Sequence, residues 1–449
     1  MVVDQHTRHS SLLWPSALIA ALLIASGATN SMSADSPRPN LVFILSDDQL
    51  RDSFGCYGSD LGLTPHVDRL AADGVRFTRA CVTTPVCAPS RISCLTGRYA
   101  GRFMPYVLNT GAHFPSTQPT VATYLKAAGY RTAIIGKLHF HLRDVPGREP
   151  LPEQMRRLGF DEAEHVHRAN FNKGAHLEGQ ERDFAAAREF IEKNKDRPFA
   201  LFLFTTLTHG PVEAPQKYID MVPAGPNRTG RAMYRWLDEL TGELVGTLEK
   251  NGLRDRTAIV FAGDNAPSQD GGSTGSRNKG TLYDGWVPLV VSFPGRIRKG
   301  AVVDEVVQNI DYLPTILDLC GIPLPEKAKV DGRSFVPLLE GKPVAWREEA
   351  YFEVDAGRAV RTDRWKYIAF RPTAGMPRPL EKQLSTYDGK ADLLFDLRND
   401  PVESRNLAAD PDHAATLAEM RGRLKKLCAG YEYRFGEFGS EPPDDSKNR

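Results

Sequence analysis

The sequence lacks a strong excess of charge of either sign. Its 449 residues include 57 Lys and Arg against 56 Asp and Glu, which gives a formal net charge of +1. No block rich in Lys and Arg occurs along the chain. Because proteins that bind nucleic acids carry a basic face or stripe, the sequence argues against a nucleic-acid partner.

Long apolar runs are missing after the N-terminal region. No later stretch approaches the roughly 20 apolar residues that cross a bilayer, so we expect no stable membrane span. The compact apolar run at residues 12–25 follows Arg8 and precedes Ser26 and Ala28, which form a small-x-small cleavage pattern; Ala34 offers a second cleavage position. This arrangement predicts a signal peptide and an exported protein, either periplasmic or secreted. An uncleaved anchor helix is the alternative.

Cysteine is scarce, and neither glycine nor proline is periodic. The cysteines are too few to build a disulfide scaffold in a chain of this length, although most of them lie between residues 56 and 94; they are Cys56, Cys81, Cys87, Cys94, Cys320 and Cys428. Their pairing cannot be read from the sequence. The 38 glycines and 32 prolines follow no repeat, which excludes collagen-like and solenoid architectures.

Short apolar runs alternate with amphipathic stretches between residues 40 and 295. The runs are rich in β-branched and aromatic residues, as is typical of strands buried on both faces of a parallel sheet; they span residues 41–45, 131–135, 199–205, 257–261 and 288–293. Residues 65–73, with Thr64 as N-cap, and residues 120–128 are predicted helices. The alternation predicts an α/β domain with a large, mostly parallel sheet sandwiched by helices.

The pattern changes near residue 345. Residues 350–398 hold short alternating runs that predict antiparallel strands, and residues 410–427 have an amphipathic helical pattern. We therefore predict a smaller C-terminal α+β subdomain that contains an antiparallel sheet. The predicted division is a signal peptide at 1–28, a catalytic domain at 38–345, the α+β subdomain at 346–440 and a polar tail at 441–449.

Reactive side chains follow the ends of four predicted strands. They are acids, bases and amides: Asp47, Asp48, Lys137, His139, His209, Asp264 and Asn265. Each alone could be a helix cap, a turn residue or a solvated loop residue. In an open α/β sheet, however, the loops that leave the carboxyl ends of the strands line the ligand crevice. Their convergence at one edge therefore favours a site.

The oxygen donors in this set indicate a metal of a particular kind. Carboxylate and amide oxygens suit Ca²⁺ or Mg²⁺, and no Cys and His cluster has zinc spacing. Three aspartates and one divalent cation sum to −1, and Arg91, Lys137 and Lys279 raise the total to +2. Such a site favours an anionic group with several oxygens, a sulfate or a phosphate.

Residues 85–98 form one further unusual segment. Cys87 opens a predicted helix, Pro89 suits its first turn, and Arg91 lies one turn further on. A cysteine at a helix start can be a thiolate nucleophile. It can also be structural or disulfide-bonded, and the residues alone leave both readings open.

The segment Cys87-Ala-Pro-Ser-Arg91, followed by Leu-Thr-Gly-Arg98, resembles the signature of the type I sulfatases. The resemblance covers about residues 38–410, including Asp-Asp-Gln at 47–49 and Lys279-Gly-Thr-Leu-Tyr283. It implies an alkaline phosphatase-like fold and a sulfuric ester hydrolase that acts on sulfate esters or N-sulfate groups. It also implies that a separate maturation enzyme converts Cys87 to Cα-formylglycine. One Ca²⁺ is implied, with Asp47, Asp48, Cys87, Asp264 and Asn265 as its ligands.

The resemblance further implies a role for each catalytic side chain. A bare thiol or serine would form a sulfated adduct that is slow to release, whereas the hydrate of an aldehyde has a second hydroxyl that can expel sulfate. Asp264 would help to deprotonate the attacking hydroxyl, and His209 or Lys279 would be the general acid. Lys137 would hold a sulfate oxygen, His139 would orient the diol and take its second proton, and Arg91 would hold the diol.

The substrate is predicted less directly. Beside the sulfate-binding Lys137, His209 and Lys279, nearby loops carry a basic set that would suit a sulfated carbohydrate: Arg102, His113, His141 and Arg143. These can equally be solvated surface charges. The stretch after Tyr283 lacks an Arg that is usual in the family. The alternatives are a choline or aryl sulfatase, a phosphomonoesterase or phosphodiesterase of the same superfamily, and a non-catalytic carbohydrate-binding protein.

Overall fold

The computed structural model describes residues 38–103, 112–146, 149–266, 282, 285–354, 357–370, 392–401 and 403–429. The strands in this part of the chain are β1 (Asn40–Ser46), β2 (Val75–Phe77), β3 (Ala80–Cys81), β4 (His113–Phe114), β5 (Arg131–Lys137), β6 (His141–Leu142), β7 (Val166–His167), β8 (Phe199–Phe204), β9 (Thr257–Gly263), β10 (Leu289–Ser292), β11 (Ala301–Val303), β12 (Val307–Gln308), β13 (Ala350–Val354), β14 (Gly357–Arg361), β15 (Trp365–Phe370) and β16 (Leu393–Asp396).

The helices cover both faces of the largest sheet and one side of a smaller one. They are α1 (Pro65–Ala72), α2 (Cys87–Thr96), α3 (Val121–Ala127), α4 (Leu151–Arg157), α5 (Ala175–Lys193), α6 (Gln216–Asp220), α7 (Arg228–Lys250), α8 (Tyr312–Leu319), α9 (Val336–Glu340) and α10 (Ala414–Leu427). None of the described helices is both long and apolar enough to cross a membrane.

The largest sheet has eight strands in the order β11-β2-β10-β9-β1-β8-β5-β7. Its central strand β1 runs parallel to β8 and β9, with Phe43 opposite both Phe202 and Val260. Parallel strands need helical cover on both faces, which is why these runs are apolar throughout. The predicted sheet, mostly parallel and sandwiched by helices, is confirmed.

Alternate residues of β1 enter two separate cores, as the pleat of a strand requires. Phe43 and its neighbours at even spacing pack in one cluster with residues of α2, α3 and α8. Val42 and Ile44 pack in the other with residues of α1, α5 and α7, including the fully buried Trp236. The two helical layers therefore hold β1 at the centre of the molecule, and the groups at its carboxyl end are buried.

Strand β10 departs from the prediction. The run at 288–293 was expected to join a parallel sheet, but β10 is antiparallel to both β9 and β2. Its continuous apolar pattern indicates that both faces of the strand are buried, but it does not indicate the direction of the strand. β10 begins beside the edge where β9 ends, with Leu289 opposite Ala262. An antiparallel neighbour that starts at this edge does not need the crossover that a parallel neighbour needs.

The predicted cap of α1 is also different in detail. Pro65 opens the helix as expected, but the Thr64 side chain makes no cap hydrogen bond to it. Thr64 Oγ1 instead donates to Asp68 at 3.2 Å. The free amides of His66 and Val67 donate to the Asp238 carboxylate of α7 at 3.0 and 2.9 Å. A carboxylate from a packed helix thus satisfies amides that a cap residue usually satisfies.

The C-terminal part contains the predicted antiparallel sheet, with strand order β13-β14-β15-β16. One face packs with Cys81 and Val306, and the other packs on α10 through Leu417 and Leu424. α10 begins later than predicted, because Asp410 caps a 3-10 turn at Pro411–His413 before the helix. The domain division near residue 345 stays a prediction.

Candidate active site

The site lies where the central strands of the large sheet end. β1 leads directly into Asp47 and Asp48, and β9 leads into Asp264 and Asn265. Backbone hydrogen bonds tie these ends together: the Asp264 amide donates to Ser46 at 2.9 Å and the Asp47 amide donates to Leu207 at 2.7 Å. The acidic residues are therefore held by the sheet itself, and their positions follow from its register.

Four side chains converge tightly at this edge. Ligand atoms of Asp47, Asp48, Cys87 and Asp264 all lie within 4.8 Å of one another, and all four residues are buried. Asn265 joins them, because its Nδ2 donates to Asp48 Oδ1 at 2.5 Å. The structure thus brings together every residue predicted to bind the metal.

Two buried cations close the group from the other side. Arg91 of α2 donates through Nε and Nη2 to Asp264 Oδ2 at 2.9 and 2.7 Å. Lys137 Nζ donates to Asp47 Oδ2 at 2.5 Å. Both cationic side chains are fully buried. We call these seven residues the strand-end cluster: Asp47, Asp48, Cys87, Arg91, Lys137, Asp264 and Asn265.

The strand-end cluster is short of positive charge. Within these seven residues three carboxylates face two cations, which sums to −1, and only the Asp48 side chain is partly exposed, at 10%. Burial raises the pKa of Asp264 above its ordinary value of 3.8, and the nearby Asp47 raises it further against the opposing effect of Arg91 and Lys137. The Oδ1 atom of Asn265 is buried without a hydrogen-bond partner among the described residues. A cation bound by oxygens would offset the negative charge and would give the Asn265 oxygen a partner.

Cys87 is the first residue of α2 and is fully buried. Its thiol donates to Asp47 Oδ1 at 3.1 Å. All six cysteines lie in the described part of the chain, and all are free thiols. A disulfide at Cys87, one of the two readings of the sequence, is therefore not found, and the residue lies among the predicted metal ligands.

His209 flanks the strand-end cluster, and His139 lies two residues after Lys137 in the chain. His209 Nε2 lies 3.5 Å from Asp48 Oδ2, and its Nδ1 donates to the Gly210 carbonyl at 3.0 Å. His139 follows β5, and both His139 and Asp48 have left-handed backbone conformations, with φ of 62° and 52°. Such conformations cost about 1–3 kcal/mol each outside glycine and are concentrated at functional sites.

Among the residues predicted to bind the substrate, two histidines form a pair and Arg102 binds a carboxylate. His113 and His141 lie side by side on the parallel pair β4 and β6, with ring centroids 5.7 Å apart. Burial lowers the pKa of His141, and the neighbouring His113 and Arg168 lower it further. Arg102 donates to both oxygens of Asp331, at 2.6 and 2.5 Å.

The other two predicted residues differ in how much the structure shows. Arg143 donates weakly to the Phe103 carbonyl at 3.4 Å. Lys279, which the sequence predicts as a catalytic and sulfate-binding residue, lies outside the described residues.

Sequence reasoning missed several polar residues at the site. Asn170 lies against His209, with its Nδ2 2.6 Å from Nδ1. Thr208 Oγ1 donates to the Asp48 carbonyl at 3.1 Å. The strand before Asn170 is too short to recognise in the sequence. Gln49, which the sequence includes in the Asp-Asp-Gln segment without giving it a role, is fully buried, and neither polar atom of its side chain is paired among the described residues.

A comparison with protein-family models decides the identity. The model described as Sulfatase matches residues 39–322, which is more than half of the chain and includes the whole strand-end cluster. The chain belongs to the sulfatase family. A second model, for the C-terminal part of N-sulphoglucosamine sulphohydrolase, matches residues 278–430. This sulfatase is therefore a sulfuric ester hydrolase, as predicted.

Curated relatives agree with this assignment over most of the chain. Human arylsulfatase A is 31% identical, with 87% of this chain and 87% of the relative aligned. An ulvan-active sulfatase of Formosa agariphila is 29% identical, with 85% of this chain and 78% of the relative aligned. The similarity thus extends well beyond the signature around Cys87.

Solved structures share the fold at lower identity. One from work on the metabolism of multiple glycosaminoglycans by Bacteroides thetaiotaomicron has a TM-score of 0.72 and 24% identity, covering 87% of this chain and 99% of that one. A phosphonate monoester hydrolase of Agrobacterium radiobacter has a TM-score of 0.69 and 23% identity, covering 87% and 95%. These likenesses concern the fold, and they confirm the predicted architecture.

Proposed function

We propose that this sulfatase is exported and hydrolyses sulfate esters or N-sulfate groups of a sulfated carbohydrate. Its nucleophile would be a formylglycine made from Cys87 by a separate maturation enzyme, and its metal a single Ca²⁺. One observation carries the proposal: Cys87 lies within 4.8 Å of three buried aspartates, at the edge where the strands end. The apolar run near the N-terminus supports export.

The residues of the strand-end cluster fit Ca²⁺. Asp47, Asp48 and Asp264 offer carboxylate oxygens, and Asn265 offers an amide oxygen that has no partner among the described residues. A divalent cation would change the charge of the cluster from −1 to +1, which suits an anionic substrate. Bound there, Ca²⁺ would act as a Lewis acid toward a sulfate oxygen and toward the nucleophile.

Formylglycine would resolve a difficulty with the unmodified thiol. The Cys87 thiol sits among hard oxygen donors, where Ca²⁺ prefers oxygen to sulfur. As its hydrate, formylglycine supplies one hydroxyl for attack on sulfur and a second whose deprotonation releases sulfate. The position at the start of α2, with Arg91 one turn further on, supports this assignment.

The remaining residues would move protons and bind charge. Asp264 is fully buried, and the effect of burial on its pKa favours uptake of a proton from the nucleophile at position 87. Lys137 Nζ, which contacts Asp47, would bind a sulfate oxygen. His139 would take the second proton of the nucleophile. Arg91 would fix both Asp47 and Asp264 through the contacts described above.

The leaving group would depart on the side of His209. The Nε2 atom of His209 faces the strand-end cluster at 3.5 Å from Asp48, which supports its assignment as general acid. Lys279 is the second candidate for this role and for sulfate binding. Protonation matters here because the alkoxide of a sugar is a poor leaving group.

A carbohydrate substrate is supported by the rim and by two relatives. His113 and His141 form an adjacent pair, and Arg143 is exposed beside them. Among the relatives, a second ulvan-active sulfatase is 30% identical over 89% of this chain, and the N-acetylgalactosamine-6-sulfatase of dog is 28% identical over 77%. The charge of Arg143 and the ring N–H groups of the two histidines would bind the further sulfates of a polyanionic glycan.

The alternatives differ from the proposal in what they release. An aryl or choline sulfatase would release sulfate from small esters and leave glycans intact. A phosphoesterase or phosphonate hydrolase would release phosphorus-containing acids, and many enzymes of that kind use a two-metal site. In the described residues, the acidic groups form one cluster suited to one ion, which favours the sulfatase with a single Ca²⁺. A non-catalytic binding protein would release nothing.

The maturation proposal is tested on one tryptic peptide. Cleavage after Arg79 and Arg91 releases residues 80–91, which contain both Cys81 and Cys87. In active enzyme we expect one alkylation of this peptide, at Cys81, together with an aldehyde at position 87 that reacts with hydrazides. Cys81 is thus an internal control for complete alkylation. Fully active enzyme with two alkylated thiols would contradict the proposal.

The substrate proposal is tested by release of free sulfate. Purified enzyme is incubated with sulfated oligosaccharides, an aryl sulfate, choline sulfate and a phosphate monoester. We expect sulfate from at least one oligosaccharide and no phosphate. Turnover of choline sulfate with every glycan left intact would overturn the carbohydrate assignment.

A further inference from the structure

The loop between β7 and α5 reaches the site through one side chain, that of Asn170. Its amide nitrogen lies 2.6 Å from Nδ1 of His209 and 3.2 Å from Nε2. Among the described residues the side chain makes no other hydrogen bond, and its Oδ1 is buried without a partner. The polar contacts of Asn170 thus serve His209 and no other described group.

The loop is held firmly on both sides of Asn170. Before it, His167 Nε2 contacts the fully buried carboxylate of Asp183 at 3.2 Å, and Nδ1 contacts the Ala169 carbonyl at 2.7 Å. After it, the Gly174 amide donates to Glu213 at 3.0 Å. A side chain that sets the position of another must itself be fixed by its surroundings, and Asn170 meets this condition.

His209 needs such support because its own restraints are few. The Gly210 carbonyl accepts from Nδ1, so Nδ1 carries a hydrogen and Nε2 is the atom that faces the strand-end cluster. The side chain of His209 is 29% exposed. One hydrogen bond to the backbone fixes one ring atom and leaves the plane of the ring free to turn.

We propose that Asn170 is a positioning residue that holds the His209 imidazole with Nε2 toward the leaving oxygen. This inference rests on the proposed function, in which His209 is the general acid. The hydroxyl at position 87 forms a bond to sulfur as the S–O bond to the alcohol breaks; the electron pair of the broken bond goes to the alcohol oxygen, and the proton on Nε2 goes to the same oxygen. Nε2 later regains a proton from water, so the step balances.

The amide suits this task in size and in chemistry. The oxygen and nitrogen ends of an Asn amide have the same shape and are assigned from their partners. With the oxygen end toward Nδ1, the amide accepts the hydrogen that the Gly210 contact places there. The contact then restrains the plane of the ring through two acceptors, one on the backbone and one on Asn170.

Substrates whose leaving groups do or do not need a proton distinguish a positioning role of Asn170 from a structural one. Asn170→Ala should lose at least about tenfold in kcat on a sulfated sugar, a part of what general acid catalysis supplies, with KM little changed. On 4-nitrophenyl sulfate, whose phenolate departs without a proton, kcat should stay close to that of the parent enzyme. Asn172→Ala is the matched control, because Asn172 is an exposed residue of the same loop.

A double-mutant cycle tests whether Asn170 acts through His209. If it does, Asn170→Ala should cost nothing more in a His209→Ala background. Additive losses, or equal losses on the sugar sulfate and the aryl sulfate, would overturn the inference. Both results leave the sulfatase assignment intact, because the parent enzyme still releases sulfate.

An NMR experiment tests the contact between Asn170 and His209 without measuring enzyme activity. The ring nitrogens of His209 are observed by NMR in ¹⁵N-histidine-labelled protein and assigned by their loss in His209→Ala. We expect the Nδ1 signal to shift in Asn170→Ala and to stay unchanged in Asn172→Ala. An unchanged Nδ1 signal in Asn170→Ala would contradict the inference, even if the enzyme released sulfate from none of the substrates tested.

Discussion

Two groups of charged residues in the interior or close to it contain similar side chains and differ in the sum of their charges. The strand-end cluster has three carboxylates and two cations, and the charges of these seven residues sum to −1. The second group surrounds Tyr99, and we call it the Tyr99 cluster; it comprises Asp311, Asp331, Glu353, Arg102, Arg347 and Arg358. Three carboxylates and three guanidinium groups make it neutral.

The carboxylates of the Tyr99 cluster are fully paired. Arg347 donates to both oxygens of Asp311 at 2.6 and 2.7 Å, and Arg102 donates to both oxygens of Asp331. Backbone amides add to this, since Tyr99 donates to Asp331 at 3.0 Å. Bidentate contacts of this kind are strong and leave few acceptor positions unused.

Glu353 links the Tyr99 cluster to the C-terminal sheet. It lies on β13, is fully buried, and accepts from the Gly101 amide at 2.7 Å and from the Tyr351 hydroxyl at 3.1 Å. Arg358 on β14 lies 3.7 Å away. The Tyr99 cluster therefore connects the residues that follow α2 with strands β13 and β14, and this connection stabilises the fold.

The difference between the two clusters distinguishes a binding site from a structural contact. In the Tyr99 cluster the charges of the protein cancel, so a ligand would have to displace an existing partner. In the strand-end cluster the carboxylates outnumber the cationic side chains by one, and the buried Oδ1 of Asn265 has no hydrogen-bond partner among the described residues. Burying such groups is costly, so their persistence favours a ligand that completes them.

The largest expected effect comes from removing one buried carboxylate in each cluster. Asp47→Asn should lower kcat/KM at least about 10²-fold, since it weakens the electrostatic stabilisation of the transition state. It should destabilise less than Asp311→Asn, because Asp48 and Asp264 remain to balance the charges of Arg91 and Lys137. Asp311→Asn should destabilise by about 3–5 kcal/mol, because it leaves the charge of Arg347 buried without its partner. Its activity per folded molecule should be near that of the parent enzyme.

Urea unfolding and sulfate release are measured on both variants. We expect Asp47→Asn to lose mainly activity and Asp311→Asn to lose mainly stability. If Asp311→Asn lost activity without losing stability, the Tyr99 cluster would take part in the reaction. If Asp47→Asn unfolded the protein, the strand-end cluster would be structural as well, and the comparison would fail.

A somewhat smaller effect is expected from the metal. An ion that binds the folded state stabilises it by about 3 kcal/mol when its free concentration is 100 times its Kd. Thermal unfolding should therefore shift to higher temperature as Ca²⁺ is added to chelator-treated protein. The shift should vanish in Asp48→Asn and persist in Asp331→Asn, which carries the same change in the other cluster. A shift that survived in Asp48→Asn would place the calcium site elsewhere.

Most residues of the strand-end cluster could be predicted because they lie at the ends of strands, whereas Cys87 and Arg91 lie on α2 and were assigned from the resemblance to the sulfatase signature. Asp47 and Asp264 come directly after long apolar runs, and the rule for open α/β sheets brings such residues to one edge. The direction of β10 could not be predicted, because burial on both faces looks the same in either direction. The ion-pair partners of charged side chains could not be predicted from the sequence either. Arg102 was predicted to bind the substrate because of its charge, yet in the structure it binds Asp331.

Asn170 shows a second limit of the sequence. It follows β7, which is only Val166–His167 and offers no apolar pattern to recognise. Its contact is with His209, which lies 39 residues away in the chain. Residues that act through another side chain are set by tertiary packing, and a single sequence contains no local signal of it.

The smallest expected effect concerns a buried polar group outside both clusters. His176 of α5 is fully buried, and neither ring nitrogen has a hydrogen-bond partner among the described residues. Its ring packs edge-on against Trp236 with centroids 5.8 Å apart. If a lack of partners alone marked a functional residue, His176 would be one. It carries no charge and lies among aromatic rings, so we expect it to be structural.

His176→Phe should therefore stabilise the protein by about 1 kcal/mol at neutral pH, because it removes unpaired polar atoms, and should leave activity unchanged.

Burial lowers the pKa of His176 from 6.5 to about 4; Glu213 partly opposes this shift and His209 reinforces it. Between these values the unfolded chain binds a proton that the folded chain does not, so the parent protein loses stability as the pH falls from 6.5 to about 4. The advantage of His176→Phe in thermal unfolding should grow over this range, whereas the exposed control His165→Phe should show no such growth. Loss of sulfate release in folded His176→Phe would mean that an unpaired polar group marks function here even without charge.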